Sequence, residues 1–470
     1  MSSSIGRWDV PDSWRWAPLA DIVEVAQNLV DPAAVPEMPH IAPNHIKSGE
    51  REILPFSTVR ADGVISPKQR FFPGQILFTK IRPYLLKSVL IDFEGVCSAD
   101  MYPLRVRGTA ESKLVLYWLT SPDFRDEIAH EQGRSVLPKI NQPALLRSAF
   151  PLPPLPEQRR IVAKIDSLTA KSRRARDHLD HIPRLVEKYK QAILAAAFRG
   201  DLTRDWRGGE GSPPYDIQGV DGQLSNLTSL PSGWTWTSMK TVGQITGGLT
   251  KNASRGSHPL QVPYLRVGNV YANELRLDEV SEIGCTEGEA QRTALEPGDL
   301  LIVEGNGSLD QIGRVAMWNG ELPVCSHQNH LIRARMGVDV LPRFALFWLL
   351  SPGGRDAIET VASSSSGLHT LSISKVGGLP IPLCSWAQQA EIVRRIETAF
   401  AWIERLAAEA TSARKLIDRL DQAVLAKAFR GELVPQDPAD EPASVLLERI
   451  RAERAAAPKA RRGRRPAVEA

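Results

Sequence analysis

The sequence predicts a tandem repeat of two α/β (α+β) modules, each followed by a long coiled-coil helix. Three observations support this fold class. The chain matches itself over most of its 470 residues, short β-rich runs fill the first part of each copy, and an apolar heptad pattern fills the second part. A repeat of this kind sets the whole architecture. The length also fits two to four domains at roughly 100 to 200 residues each.

In the second part of each copy, equivalent residues are separated by a constant number of positions, whereas in the first part this offset varies. EQRRIVAKI from Glu157 aligns with QQAEIVRRI from Gln388, and QAILAAAFRGDL from Gln191 aligns with QAVLAKAFRGEL from Gln422, both at an offset of 231. The earlier pair Trp14 and Trp234 is offset by only 220. Because surface loops accept insertions, we expect a rigid scaffold in the second part and a variable module in the first. A domain duplicated only for stability is the alternative.

Heptad spacing predicts that the two conserved helices pack along apolar seams. The seam positions step by four and three residues, the a/d pattern of paired helices, whereas a solitary amphipathic helix would show a drifting period of 3.6. A seam from Ile161 to Ala196 is about 53 Å long at roughly 1.5 Å per residue. The seam candidates are Ile161, Ile165, Leu168, Leu179, Val186 and Ile193 in the first copy, and Ile392, Ile396, Ile403, Leu406, Ile417, Leu420 and Val424 in the second.

Proline and glycine mark a weak point and the ends of these helices. Pro183 removes a backbone donor and should kink or split the first helix near Leu179, whereas the second copy has Arg414 at the equivalent position. Both copies close with Phe-Arg-Gly, at Gly200 and Gly431, and glycine suits a helix C-cap.

The variable modules are expected to contain short strands, loops and a few helices. QILFTKI from Gln75, KSVLIDF from Lys87 and DLLIVEG from Asp299 are typical of strands. Helical patterns follow at residues 114–119 and 344–350.

Loop side chains of both modules include groups that can contact DNA. Arginine pairs well with guanine, asparagine and glutamine pair with adenine, and lysine mainly anchors phosphate. For any single residue, a solvated surface side chain is the alternative. The candidates are Lys68, Gln69, Arg70, Lys80, Arg82, Lys87, Arg134, Lys139 and Asn141 in module one, and Lys251, Asn252, Arg255, Asn306, Gln311, Arg314, His327, Gln328, His330 and His369 in module two.

Charge and composition favour a folded protein of the cytoplasm without deciding its ligand. The net charge of +4 is too small to indicate nucleic-acid binding by itself, although residues 157–190 hold ten Lys or Arg against five Asp or Glu. The tail KARRGRR from Lys459 adds five cations, and we expect it to be disordered. No apolar run has membrane-spanning length, and no secretory signal begins the chain. The scattered cysteines predict reduced, mostly buried thiols.

Signatures of catalysis are weak. Ser212-Pro-Pro-Tyr215 resembles the tetrapeptide with which amino-methyltransferases hold a flipped base, but it lies in a Gly- and Pro-rich connector. The sequence has no phosphate-binding G-x-x-x-x-G-K-[ST] loop, and the histidines near residue 327 lack ligands at zinc spacing. No cofactor or metal is expected on this chain. A methyltransferase with an unrecognised cofactor site and a scaffold without sequence preference remain the two alternatives.

The repeated motifs together resemble the specificity subunits of type I restriction-modification systems. The likeness rests on the proline-rich lead into EQRRIVAKI, the QAILAAAFRGDL ending, the recurrence of both, and the ILFTKIRPYL segment at Ile76–Leu85. It implies a non-catalytic, sequence-specific DNA-binding subunit with two target-recognition domains and two long helices that pack antiparallel as spacer and docking surface. The second copy departs from the family's proline-glutamate-glutamine lead, having Ala387-Gln388-Gln389, which leaves its docking contacts open.

The same resemblance implies partners and their cofactors. They are double-stranded DNA, two adenine-methyltransferase (M) subunits and two ATP-driven restriction (R) subunits, with S-adenosylmethionine, ATP and Mg on those subunits. The expected domains are target-recognition domain 1 at 1–155, a central helical spacer at 156–200, a linker at 201–229, target-recognition domain 2 at 230–386, a C-terminal helical spacer at 387–431 and a tail at 432–470 with a short helix.

Two similar modules at opposite ends of an antiparallel helix pair would match the pseudo-dyad of duplex DNA. Because the loops of the modules differ, the two half-sites should differ. A seam of about 53 Å corresponds to roughly 15 base pairs, so the half-site centres should lie somewhat more than one helical turn apart with unread bases between them.

Overall fold

A computed structural model describes residues 8–107, 110–129, 138–206, 230–365 and 368–456. The chain forms two compact units, and the first is built from two separate stretches of sequence. The first unit comprises Met1–Leu179 with Thr411–Ala470, and the second comprises Asp180–Ala410. Each unit contains helices and sheets, as the sequence predicts.

The first unit contains two sheets and a two-stranded ribbon. The four-stranded sheet has the order Val23–Val25, Met101–Val106, Ile76–Thr79, Ser88–Leu90, and the five-stranded sheet has the order Leu29–Val30, Lys68–Phe71, Gly95–Cys97, Pro39–Ile41, Ser57–Thr58. Arg15–Pro18 pairs with Ala149–Leu152 in the ribbon. Pairing is antiparallel except between Pro39–Ile41 and Gly95–Cys97. The helices are Leu19–Ile22, Ser112–Leu119, Pro122–Ala129 and Gln142–Arg147.

The second unit repeats part of this topology. Its four-stranded sheet has the order Gly243–Gly247, Leu331–Met336, Leu300–Val303, Val315–Met317, and its ribbon joins Thr235–Ser238 with Pro380–Leu383. One three-stranded sheet has the order Ser281–Cys285, Leu260–Leu265, Ser326–His327. A second has the order Gly305–Asn306, Leu368–Thr370, Ser363–Ser365. Val270–Tyr271 forms a hairpin with Glu274–Leu275. The helices are Met239–Val242, Glu287–Thr293, Pro342–Leu350, Pro352–Val361 and Ile373–Gly377. The strands and helices expected from the sequence lie where they were predicted.

Long helices follow each module. The first helical region consists of Leu155–Asp180 and Ile182–Phe198, and the second is one helix, Trp386–Phe429, after which Ala443–Ala456 follows. The helix is interrupted at His181, two residues before Pro183, so of the kink or split expected at this proline the structure has a short break. The proline ring has no N–H with which to continue the helical hydrogen bonds. Gly200 and Gly431 both have φ +77°, the left-handed conformation expected of a glycine cap.

The core of the first unit includes turns from both helical regions. Trp118 packs edge-on against Phe429 with ring centroids 5.0 Å apart, and Ile161 and Ile165 join the same cluster. Farther along the first helix, Arg176 donates to Asp421 at 2.5 Å. Later residues of the first helix therefore contact earlier residues of the second, within this unit. Burial of these side chains, at roughly 25 cal/mol per Å² of apolar surface, fixes the module on both helices.

The second unit has an equivalent core. Phe198 packs against Phe344 and Trp348, each with a centroid distance of 5.2 Å, while Ile392 and Ile396 are fully buried in the same cluster. The helical contributions are reversed, because the end of the first helical region and the start of the second take part here.

Candidate nucleic-acid interface

In the first unit, two candidate cations rest on aromatic rings. The Arg70 Cζ lies 5.3 Å from the Phe72 ring centroid, and the Lys80 Nζ lies 5.4 Å from that of Tyr102. Arg70 also pairs with Glu94. A cation held over a ring loses little freedom when it binds a ligand. Because Arg70 is already paired with Glu94, Lys80 is the more available of the two for an anionic ligand.

A cavity of about 400 Å³ in the same unit joins two predicted residues to polar groups that sequence reasoning missed. Gln69 and Lys80 line it together with Gln27, Tyr102 and Gln142. The Gln69 side-chain oxygen accepts the N–H of Asn28 at 3.0 Å, which directs its amide nitrogen elsewhere. Gln27 and Gln142 are distant in sequence from Gln69, and only the fold brings these amides together.

Other candidates in the first unit take part in its internal structure. Lys68 is nearly buried and donates to the Ser66 carbonyl at 3.0 Å, and Lys87 donates to the Pro43 carbonyl at 2.8 Å. Asn141 caps the helix Gln142–Arg147 by accepting the N–H of Ala144 at 2.9 Å. A capping side chain contributes roughly 1 kcal/mol to stability.

The remaining predicted residues of this unit lie near its surface or outside the described residues. Arg82 and Lys139 are exposed, and the Lys139 Nζ lies 3.3 Å from an Asp100 carboxylate oxygen. Arg134 lies outside the described residues. These positions therefore stay predictions.

In the second unit, Arg314 shares an aromatic ring with an arginine that the sequence did not single out. The Arg314 Cζ is 5.1 Å from the Tyr271 ring centroid, and the Arg276 Cζ is 3.8 Å from it. Arg276 directly follows the hairpin that carries Tyr271. An arginine at the end of a short hairpin is the sequence feature that could have identified it. Arg314, a predicted DNA-contacting residue, therefore lies close to a second arginine.

Arg255 is half-buried and His327 is buried, and both have partners within the unit. Arg255 pairs with Glu289 at 2.7 Å, and the Arg255 hydrogen bond is the main cause that lowers the pKa of Glu289 to about 2. His327 is 0% exposed, its Nδ1 lies 3.2 Å from the Thr293 carbonyl oxygen, and burial lowers its pKa to about 4. His330 is exposed, with its Nδ1 2.7 Å from a Glu304 oxygen.

The other candidates of the second unit form local bonds or lie at the surface. The Asn306 oxygen accepts the Ser308 N–H at 3.0 Å, and Gln311 donates to Asp310 at 2.9 Å. Lys251 and Asn252 are exposed, Gln328 is half-buried, and His369 lies opposite Asn306 in a strand pair.

The Glu157 and Gln388 side chains at the start of the long helices are buried and take part in internal hydrogen bonds. In the first unit Glu157 accepts the Trp14 indole N–H at 2.9 Å, and in the second unit Gln388 accepts that of Trp234 at 3.1 Å. Burial raises the pKa of Glu157. The change from glutamate to glutamine in the second copy keeps the hydrogen-bond acceptor, so it preserves the same internal contact.

The adjacent glutamines repeat a second contact. Gln158 accepts the N–H of Glu111 at 2.9 Å, and Gln389 accepts the N–H of Leu341 at 2.9 Å. Each is 0% exposed and also donates to a backbone carbonyl. These buried, hydrogen-bonded amides hold a module helix against the long helix in each unit.

The seam candidates differ in burial. Apolar contact is closest near the modules, and polar pairs such as Lys190 with Glu404 at 2.9 Å lie farther along the helices. Buried seam residues are Ile161, Ile165, Ile392, Ile396, Ile403 and Val424, half-buried ones are Leu168, Leu179, Val186, Ile193 and Ile417, and exposed ones are Leu406 and Leu420.

Within the described ranges, no three His, Cys, Asp or Glu side chains converge as a metal site. The tetrapeptide Ser212–Tyr215 and the basic tail from Lys459 lie outside those ranges. The four cysteines are buried and free, as expected. None of the described helices has the length and apolar character needed to cross a membrane.

Comparison with known proteins identifies relatives over nearly the whole chain. Residues 11–181 match the family model described as the type I restriction modification DNA specificity domain. The chain is 29% identical to the type I restriction enzyme EcoKI specificity subunit of Escherichia coli strain K12, covering 95% of this chain and 97% of that subunit. It is 38% identical to the EcoDI specificity subunit of Escherichia coli over 198 residues, where the match covers 42% of this chain and 44% of that subunit.

Solved structures share the fold. The crystal structure of the HsdS subunit from Thermoanaerobacter tengcongensis matches with a TM-score of 0.58 and 22% identity, covering 91% of this chain and 99% of that one. A chain from a study of complex assembly and conformational transition of the type I R-M system matches with a TM-score of 0.66 and 21% identity, covering 91% of this chain and all of that one.

Proposed function

Because the chain belongs to the specificity subunits of type I restriction-modification systems, we propose that it selects a bipartite, asymmetric DNA sequence for adenine methylation and restriction by partner subunits. The chain itself is a DNA-recognition component and performs no chemistry. The match of residues 11–181 to a DNA specificity domain is the observation that carries this function.

Each of the two modules reads one half of the target in this proposal. The shared order of the four-stranded sheets and the shared ribbons support two recognition modules of one kind. Their side chains differ, since Arg70 and Lys80 rest on rings in the first unit, whereas Arg276 and Arg314 do so in the second. Unlike contacts of this kind favour unlike half-sites.

We further propose that the two helical regions pack antiparallel as the spacer between the modules and as the docking surface for partners. The opposite direction of contacts within the first unit supports this arrangement. Two methyltransferase and two restriction subunits would complete the assembly and would carry S-adenosylmethionine, ATP and Mg. The predicted domain limits and a cytoplasmic location belong to the same proposal.

Methylation mapping tests the function directly. The chain is co-expressed with its methyltransferase partner, and modified adenines are mapped across the host genome. A split motif with two unlike halves is expected. A continuous palindrome would argue against two different reading modules.

Exchange of one module assigns the halves. Replacing residues 230–386 by the equivalent module of a relative should change one half of the motif and preserve the other. A motif that stays the same after the exchange would instead favour a scaffold without sequence preference.

A further inference from the structure

Two guanidinium groups in the second unit approach one tyrosine ring. Arg276 lies 3.8 Å and Arg314 lies 5.1 Å from the ring centroid of Tyr271, measured from each Cζ. The two Cζ atoms are therefore no farther apart than the sum of these distances. Like charges at such a separation repel each other, and an anion that contacts both removes this repulsion.

The backbone fixes the position of both arginines. Tyr271 and Glu274 face each other in the hairpin, and the N–H of Asn273 at its turn donates to the Val315 carbonyl at 2.9 Å. The carbonyl of Arg314 accepts the N–H of Val303 at 2.9 Å. Side chains supported by paired strands hold a binding geometry better than those on loose loops.

Arg276 is exposed to a ligand, and the charge of Arg314 is unpaired within the described part of the chain. The Arg276 side chain is 52% exposed, its Nε donates to Glu274 at 3.0 Å, and the Tyr271 side chain interacts with the same guanidinium group. The Arg314 Nε is buried without a hydrogen-bond partner, and Arg314 forms no ion pair with any residue that the structure describes. Among the described residues, Glu274 pairs with Arg276, and Arg314 keeps an unpaired positive charge.

We propose that Arg276 and Arg314, held on Tyr271, together bind one phosphate of the DNA backbone. This assignment rests on the proposed DNA-binding function and specifies one of its contacts. A guanine base takes a single arginine through its O6 and N7 atoms, whereas one phosphate accepts hydrogen bonds from two guanidinium groups. Such a contact sets the position of the second module on the duplex without reading sequence.

Salt-dependent binding tests the phosphate contact. The full chain in complex with its methyltransferase partner is titrated with a fluorescent duplex that contains the mapped target, at several salt concentrations. The double variant Arg276→Gln with Arg314→Gln should reduce the slope of log K against log salt by about 0.9, the value for one phosphate. Arg276→Gln alone, at an exposed position, should weaken binding several-fold and leave folding intact.

Variants of the ring separate its role from that of charge. Tyr271→Leu keeps both arginines but removes their support, and it should weaken binding several-fold. Tyr271→Phe keeps the ring and should bind more tightly than Tyr271→Leu does. Equal binding by Tyr271→Leu and Tyr271→Phe would contradict the role of the ring.

A second double variant controls for loss of charge. Arg343 pairs with Glu397 and Arg292 is exposed in the same unit, so Arg343→Gln with Arg292→Gln removes two charges that are not held on Tyr271. Its salt slope should stay unchanged. An unchanged slope for the arginine pair on Tyr271, or a changed base in its mapped motif, would overturn the phosphate assignment. Failure of the original complex to bind its mapped target would contradict the proposed function instead.

Discussion

Acid should destabilise the second unit through His327. The imidazole is 0% exposed, and its Nε2 has no hydrogen-bond partner among the described residues. Burial is the main cause that lowers its pKa from 6.5 to about 4, and the nearby Arg333 adds to this effect. Because the folded state binds the proton less readily than the unfolded state, stability is complete above pH 6.5 and is lost as the pH falls towards 4.

The expected loss can be worked out from the two pKa values of His327. At about 1.36 kcal/mol per pKa unit, the full effect is about 3 kcal/mol. Between about pH 7 and pH 5 the folded state should lose about 2 kcal/mol relative to the unfolded state. His327→Gln has no titrating group at this position, so most of this loss should disappear.

Hydrogen exchange of the strand Leu331–Met336 measures the second unit separately, because this strand lies in its four-stranded sheet. Opening free energies of the full chain are compared at the two pH values. His330→Asn is the matched control, since His330 lies three residues away but is exposed. If the opening free energy falls equally on acidification in the original chain and in His327→Gln, the reasoning is refuted. It is also refuted if only His330→Asn loses less opening free energy than the original chain.

Three other changes test packing and geometry. Phe429→Ala should lower the free energy of unfolding by about 3 to 5 kcal/mol in urea titrations, whereas Leu420→Ala, at a position that is 56% exposed, should change it by less than about 0.5 kcal/mol. Glu157→Leu leaves the Trp14 indole N–H without its acceptor and should cost about 1 to 3 kcal/mol, with a smaller cost for Glu157→Gln in the same titration. Inserting four residues in both helical seams, about 6 Å of helix, should lengthen the unread gap in the methylated motif by one or two base pairs; unchanged spacing would contradict the role of the helices as spacer.

The helices and the repeat could be predicted because their signals are local or periodic. The constant offset of 231 located both helical regions, Pro183 marked the interruption, and Gly200 and Gly431 marked the caps. The proline and glycine signals depend on backbone chemistry that acts within a few residues. Tertiary packing did not need to be known.

Burial of individual side chains depends on contacts between distant segments, so the sequence was less informative about the site. His327 looked like a polar loop residue, yet it is a buried strand residue whose Nδ1 lies against the carbonyl of Thr293 at the end of a helix. Leu406 and Leu420 fit the heptad but are exposed. Arg276 was not predicted because it is singled out only by its contact with the Tyr271 ring, which it shares with Arg314. Arg314 is 38 positions away in the sequence.

The separation of the first unit into two stretches has a consequence for biosynthesis. Residues 180–410 are contiguous, so the second unit can fold as soon as that stretch has left the ribosome. The first module emerges earlier, but its core includes Phe429, Leu446 and Ile450 from the end of the chain. The nascent first module therefore keeps apolar surface uncovered until residues 429–450 have been made, and termination before Phe429 would leave its core incomplete even though residues 1–155 are intact.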